Sequence, residues 1–296
     1  MLFRSQGQAK VSNVLVPRDQ TVDLSKFTVK NSVDKLVKQH WQRLSLKPAE
    51  VCSDEVFLRR AFLDSIGTMP TKEKIAAFLA SKAPDKHEQL VDELLGLTGD
   101  SKRDIYTSEW SAYWTLKWGD LLRNNRNKVG DGGMWAFHNW IRESLRSNKP
   151  VDQFVREIIT AQGSIYANGP ANYFKIATKA EDLAETTAQV FLGVRMQCCR
   201  CHHHPFEVYS QADYYGMAAF FTRVGTKASA DFGAFGRDSI VMIKNSGSIK
   251  HPRTRKTMQP TPLLGKPVAL DDVRDFRRPL ADWLTSKENK MFSRNI

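Results

Sequence analysis

Apolar residues recur every three to four positions along most of the chain, which is the period of an amphipathic α-helix. Ser32 is the predicted N-cap of the first such stretch, and Ser210 with Asp213 three positions later matches a capping box. The stretches are SVDKLVKQHWQRL, DEVFLRRAFLDSI, KEKIAAFLASK, DKHEQLVDELLGL, SEWSAYWTLKWGDLL, MWAFHNWIRESLRS, PVDQFVREIITAQG, EDLAETTAQVFLGVRMQ and QADYYGMAAFFTRV. The pattern therefore predicts a mostly α, multi-helix fold.

Three parts of the chain depart from this period. Residues 1–30 lack it, and NVLVP followed by VDLSKFTV predicts short strands in an extended arm. The glycine-rich VGDGG at 129–133 predicts a plain turn. Residues 226–270 are rich in Gly, Ser and Pro, and SIVMIKNSGSIKH within them predicts a small β-hairpin that turns at Asn245 to Gly247.

These changes of composition predict four parts of the chain. They are an N-terminal arm (1–30), a helical domain (31–225), a segment with the β-hairpin (226–270), and a last segment (271–296). The last part begins a helix that uses Pro279 near its first turn. The first residues lack the apolar core of a secretory signal, so either the protein is cytoplasmic or its signal has been lost from this chain.

The chain of 296 residues has a net charge of +12, which favours anionic partners such as an acidic protein or an anionic glycan. Lys and Arg are spread along the whole length, and the densest cluster is only HPRTRK at 251–256. This spread argues against a dedicated nucleic-acid site. No apolar run approaches the roughly 20 residues that cross a bilayer, so no membrane span is expected.

The ten residues QCCRCHHHPF at 197–206 hold three of the four cysteines and three of the seven histidines. Within them, Cys198, Cys201 and His202 match C-x-x-C-H, the attachment pattern of a c-type haem. Two thiols three positions apart can each form a thioether, and the next residue can supply an axial imidazole nitrogen to the iron. With this composition a chance match is expected roughly once in a thousand such chains.

Two other interpretations of the cluster stay open. Cys198, Cys201, His202 and His204 together number the four ligands of a tetrahedral zinc site. However, structural zinc sites usually draw two pairs of ligands from separated segments, so a remote histidine would be needed. The cluster can also be structural, with buried cysteines or a disulfide between Cys199 and Cys52.

A haem iron bound by His202 has a sixth position that another residue can fill. His138 lies in the aromatic stretch MWAFHNW, whose apolar side chains suit a haem pocket. Met217 and Met196 are further candidates, and a methionine ligand would raise the redox potential relative to histidine. The alternative for each of these residues is a place in the core.

The region around the cluster resembles the planctomycete cytochrome-associated PSCyt family, domain of unknown function 1549. The resemblance rests on FLGV, then C-x-x-C-H-x-H-P-F, then DYYG and AAFF. FLRRAFLDSIGTMPTKEKIAAFLA upstream and HPRT with PTPLLGKP downstream are similar in order and spacing, so the likeness extends over about residues 31–296. RRPLADWLTSKENKMFSRNI resembles the opening of the PSD-type module that usually follows, which implies that residues 271–296 are the truncated start of that module. Cys199 stands where a small or polar residue is more usual in the family.

The resemblance implies a c-type haem protein that is exported to the periplasm or beyond. By position, Cys198 and Cys201 match the attachment cysteines, His202 matches the axial ligand, and His204 to Phe206 match the trailing motif. We therefore expect covalent haem c, an electron-transfer or other haem-linked role, and an acidic redox partner protein. A zinc protein or hydrolase that uses the Cys/His cluster, and a non-catalytic binding module, are the alternatives, and whether the protein is an enzyme is left open.

Overall fold

A computed structural model of the chain describes residues 2–5, 8–11, 14–230, 238–270 and 274–295. These residues divide into two compact units. The first unit is Met1–Phe57 with Pro205–Val208, and the second is Leu58–His204 with Tyr209–Ile296. The second unit therefore contains both the helices at the C-terminal end and the Cys/His motif up to His204.

The predicted mostly α fold is confirmed. The helices are α1 (Ser32–Leu44), α2 (Asp54–Ile66), α3 (Lys72–Ala80), α4 (Lys86–Leu95), α5 (Thr107–Leu121), α6 (Arg126–Arg146), α7 (Val151–Thr160), α8 (Tyr173–Ile176), α9 (Ala180–Leu192), α10 (Gln211–Ala219), α11 (Arg277–Leu284) and α12 (Lys290–Asn295). None of the described helices combines the length and the apolar character that crossing a bilayer requires.

The N-terminal arm contains a short antiparallel pair of strands, β1 (Leu2–Ser5) and β2 (Gln8–Val11). The stretches in which strands were predicted, NVLVP from Val14 onward and VDLSKFTV, form none. The predicted cap of α1 is also wrong by one residue. Asn31 is the N-cap, because its side-chain oxygen accepts a hydrogen bond from the backbone N–H of Asp34, and Ser32 is already helical.

A three-stranded antiparallel sheet follows in the second unit. It consists of β3 (Gly163–Ser164), β4 (Val224–Ala228) and β5 (Ser239–Ile243), with β5 in the centre. The β-structure predicted near the C-terminus is confirmed, but the predicted turn at Asn245 to Gly247 is wrong. SIVMI (β5) pairs with β4 on one edge and with β3 on the other, and both of these strands precede it in the chain.

The glycine-rich stretch at 129–133, where a turn was predicted, interrupts α6 with a kink at Gly130. Gly130 has φ 72° and ψ 174°, outside the helical region, while the residues on either side are helical. A positive φ of this size is accessible to glycine at little cost, which explains why the chain changes direction here.

A buried ion pair joins the C-terminal helices to the middle of the second unit. Arg277 is fully buried and donates to both carboxylate oxygens of Asp275, at 2.9 and 2.8 Å. It also donates to the carbonyl of Ala161 at 2.8 Å, just beyond α7, and its guanidinium lies 4.6 Å from the ring centroid of Phe174. This one side chain therefore fixes the start of α11 against the end of α7.

We expect Arg277→Met to lower the free energy of unfolding by about 3–5 kcal/mol, because it leaves the Asp275 carboxylate buried without its cation. Urea unfolding followed by circular dichroism measures the change. Arg146→Met is the matched control, because Arg146 pairs with Glu143 on an exposed face of α6 and should give no measurable change. Equal effects of the two substitutions would contradict the prediction.

Candidate functional site

The cluster of cysteines and histidines lies on one helical turn that follows α9. Gly193, with φ 68°, ends α9, and a short 3-10 helix then spans Gln197–Arg200. The backbone N–H groups of Cys201 and His202 both donate to the carbonyl of Cys198, each at 3.3 Å. Residues 198–202, which we name the Cys/His turn, therefore have helical geometry, and side chains three positions apart lie on the same side.

The Cys/His turn has one buried and one exposed side. Cys199 is fully buried, and its thiol approaches the carbonyl of Tyr209 at 3.6 Å. Cys198, Cys201 and His202 are exposed. The cysteines at 198 and 201 are thus presented together to solvent, as thioether formation to one haem requires, and Cys199 anchors the turn from the other side.

All four cysteines of the chain belong to the described residues, and each is in the thiol form. The disulfide between Cys199 and Cys52 that the sequence left open is therefore not formed. Cys199 instead occupies a core position, where a thiol behaves as a small apolar side chain.

The ring of His202 is oriented by its own backbone. Nδ1 lies 2.6 Å from the carbonyl oxygen of His203, and a carbonyl oxygen only accepts hydrogen bonds. In the neutral imidazole Nδ1 therefore carries the proton, and Nε2 keeps its lone pair. Histidines that bind metals commonly donate the other ring N–H to a backbone carbonyl in this way.

The other two histidines of the motif have different surroundings. His203 accepts a hydrogen bond at Nδ1 from the backbone N–H of Gln211, the first residue of α10, at 3.1 Å. His204 is 8% exposed, and its backbone N–H donates to the carbonyl of Tyr209 at 3.0 Å. The Phe206 side chain of the trailing motif is 76% exposed.

Zinc and haem make different demands on these residues. Among the described residues, no three His, Cys, Asp or Glu side chains lie in an arrangement that could hold a metal ion. A structural zinc site needs four protein ligands, whereas a c-type haem needs only one iron ligand from this motif, since its cysteines bind carbon atoms. Two exposed thiols and one oriented imidazole are the protein groups that attachment of a c-type haem uses.

Arg200, inside the motif, connects the turn to the two neighbouring helices. Its guanidinium lies 3.3 Å from the carboxylate of Asp182 and 3.7 Å from that of Glu185, both on α9. Its carbonyl accepts hydrogen bonds from the Gln211 amide at 3.0 Å and from the Tyr215 hydroxyl at 3.2 Å, both on α10. The turn is thus held from two sides.

The network continues through the tyrosines of α10. Tyr214 is fully buried, and its hydroxyl donates to Glu185 at 2.6 Å. Burial raises the pKa of the Tyr214 phenol, and the hydrogen bond to Glu185 raises this pKa further. The ring of Tyr215 lies 5.9 Å from the ring of His251, measured between centroids. The predicted capping box of Ser210 and Asp213, which fixes the start of α10, is confirmed.

Sequence reasoning did not find this network. The available signals were an arginine between the two attachment cysteines and two carboxylates three positions apart on α9, which a helix places on one face.

A cavity of about 750 Å³ opens beside these carboxylates, Asp182 and Glu185, and its lining also contains Arg123, Lys128 and Gln197. None of the three exposed side chains of the Cys/His turn lines it.

The predicted sixth ligands lie in different environments. Met196 and Met217 are fully buried in the core of the second unit. His138 is partly buried, and its ring packs edge-on against Trp135 at 5.2 Å between centroids. Burial lowers the pKa of His138, and the positive charge of Arg142 lowers it further, which favours the neutral imidazole that a metal ligand requires. His138 as the sixth ligand stays a prediction.

We expect Cys199→Ser to lower the free energy of unfolding by about 1–3 kcal/mol, because it places a poorly paired hydroxyl in the core. Cys198→Ser and Cys201→Ser, on the exposed side, should change it by less than about 0.5 kcal/mol. Urea unfolding of the haem-free proteins makes the comparison. Equal losses at all three positions would mean that the cluster as a whole is structural.

Tyr214 should make stability depend on alkaline pH. Its pKa is raised in the folded state, so its contribution is complete below the unfolded value of about 10 and is lost as pH rises beyond it. The free energy of unfolding should therefore fall less steeply above pH about 10 in Tyr214→Phe than in the wild type. Urea titrations across this range measure both slopes, and identical slopes would contradict the prediction.

Comparison with protein families gives one result. A model described as PSCyt2, protein of unknown function (DUF1549), matches residues 32–226, which is more than half of the chain. Comparison with curated proteins and with solved structures found no match. The matched range contains the whole Cys/His turn together with α9 and α10, which hold it. The chain therefore belongs to the PSCyt2 family of proteins of unknown function, DUF1549.

Proposed function

We propose that the chain is a c-type haem-binding domain with a role in electron transfer. The observation that carries the proposal is the Cys/His turn, in which the side chains of Cys198, Cys201 and His202 are all exposed. The hydrogen bond from His202 Nδ1 to its neighbouring carbonyl supports it further, because the Nε2 lone pair is then available to a metal.

Each residue of the turn has a distinct part in this proposal. The thiols of Cys198 and Cys201 would form the two thioethers, and Nε2 of His202 would be the axial ligand. Haem, when bound, supplies one-electron chemistry at its iron. The contribution of the protein is to hold these three side chains in place, through buried Cys199 on one side and the hydrogen bonds to the Arg200 carbonyl on the other.

The exposure of the turn favours electron exchange with another protein over chemistry in a deep pocket. Attachment residues on the surface would leave part of a haem accessible to a partner. The net charge of +12 supports an acidic partner protein, since opposite charge steers and orients association. We retain His138 as the proposed sixth ligand.

Export is part of the same proposal. Covalent haem attachment in bacteria takes place outside the cytoplasm, and the resemblance to planctomycete proteins implies an exported location. An exported chain of this kind would meet its redox partner in the periplasm or beyond it.

The direct test is expression together with the cytochrome c maturation machinery, followed by a pyridine haemochrome spectrum. We expect about one covalent haem per chain in the wild type and none in Cys198→Ser/Cys201→Ser. Cys52→Ser is the matched control and should keep its haem, because Cys52 lies outside the motif. His202→Ala should change the spectrum of any haem that remains attached.

Two outcomes would count against the proposal. A folded wild-type protein without covalent haem would reject it. Elemental analysis that finds stoichiometric zinc and no iron would instead select the metalloprotein, and a hydrolase assay would then be the next measurement.

A further inference from the structure

The segment KHPRTRKT, residues 250–257, contains four cations and no acidic residue. Lys250, Arg253, Arg255 and Lys256 are all exposed. Within the part of the chain that the structure describes, no carboxylate lies within ion-pair distance of any of them, whereas Arg200 and Arg277 are both paired. We name this segment the basic loop. The basic loop therefore holds four exposed positive charges close together, and these charges are available to bind an anionic molecule.

The basic loop has a defined conformation. Lys250 and Thr257 form an antiparallel bridge at its base, and the backbone N–H of His251 donates to the carbonyl of Lys256 at 2.9 Å. Inside the loop, Nδ1 of the buried His251 accepts hydrogen bonds from the backbone N–H groups of Arg253 and Thr254, each at 3.3 Å. The four cations are therefore held on a fixed frame.

One residue of the basic loop has an unfavourable backbone conformation. Arg255 has φ 60°, in the left-handed region, which costs a residue with a side chain about 1–2 kcal/mol. Glycine would adopt this conformation with almost no cost. An arginine at this position therefore contributes charge where the backbone alone favours glycine. Backbone strain of this kind is often associated with function.

The basic loop lies close to the Cys/His turn. The ring of Tyr215 packs against the ring of His251, at 5.9 Å between centroids, and the Tyr215 hydroxyl donates to the carbonyl of Arg200 at 3.2 Å. A single side chain thus connects the base of the loop to the residue between the two attachment cysteines. A molecule bound to the loop would be placed beside the turn.

We propose that the basic loop is the docking element that holds an acidic patch of a folded partner protein beside the Cys/His turn. The identification of this partner as a redox protein rests on the function proposed above. The compact shape of the loop favours a folded protein, because nucleic-acid strands are usually bound along extended basic grooves with aromatic side chains, and this loop has no aromatic residue apart from His251. Complementary charge of this kind mainly accelerates and orients association.

The test uses the triple variant Arg253→Gln, Arg255→Gln and Lys256→Gln. Its matched control removes three exposed lysines elsewhere, Lys72, Lys82 and Lys102, also to Gln, so that both proteins lose the same charge. The probe is a plant-type [2Fe–2S] ferredoxin as the acidic protein, titrated by calorimetry at low and at physiological ionic strength. We expect the loop variant to bind about tenfold more weakly at low ionic strength, and the control by less than about threefold.

Three results would overturn the docking proposal. They are equal weakening in both variants, no binding of the wild type to ferredoxin at low ionic strength, and loss of heparin binding in the loop variant while ferredoxin binding is unchanged. The last result would assign the loop to an anionic glycan. Arg255→Gly adds a second readout, because it should weaken ferredoxin binding and at the same time raise the melting temperature.

The same titration with Cys198→Ser/Cys201→Ser separates this proposal from the haem proposal. That variant cannot attach haem, so adding the three loop substitutions to it should still weaken ferredoxin binding about tenfold, because docking depends on the basic loop. Loss of binding only in the loop variant supports docking even if no haem is found. Covalent haem without loop-dependent binding rejects docking alone.

Discussion

The burial of Cys199 against the carbonyl of Tyr209 determines the direction in which the Cys/His turn faces. A helical turn has about 3.6 residues, so one side chain directed into the core leaves those before and after it directed outward. Cys198 and Cys201 are exposed for this reason, and His202 at the end of the turn is exposed as well. Cys199 is therefore the anchor that presents the other two cysteines, and its thiol is suited to this position because it is small and tolerates burial.

Arg200 connects the Cys/His turn to the helices on either side of it. Its side chain pairs with carboxylates of α9, while its carbonyl accepts two hydrogen bonds from α10, so the turn is held by the helices before and after it. A site whose residues are held by surrounding hydrogen bonds loses little entropy when it binds a cofactor. The same α10 side chain that reaches the Arg200 carbonyl also contacts His251, and this contact relates the basic loop to the turn.

The charges of the protein divide into two groups with different consequences. Arg277 and Arg200 are paired with carboxylates and stabilise contacts between helices. The cations of the basic loop have no such pairs among the described residues and lie on a frame set by the backbone. The net charge of +12 alone does not distinguish these groups. The positions of the cations in the fold distinguish the two groups. Only an unpaired, exposed cation contributes strongly to the recognition of another molecule.

The sequence determined the helices, the capping box at Ser210 and the candidate haem residues, because these depend on contacts between residues a few positions apart. It did not place the turn of the β-hairpin. SIVMI is a strand in the sequence pattern, but its pairing with β3 and β4 depends on tertiary contacts that the pattern does not contain. The same limit applies to the site. The C-x-x-C-H spacing identified Cys198, Cys201 and His202, but the roles of Cys199, Arg200 and Tyr215 depend on α10 and on the loop at 250–257. Only the tertiary structure brings these segments together, because contacts between distant parts of the chain leave no periodic signal in the sequence.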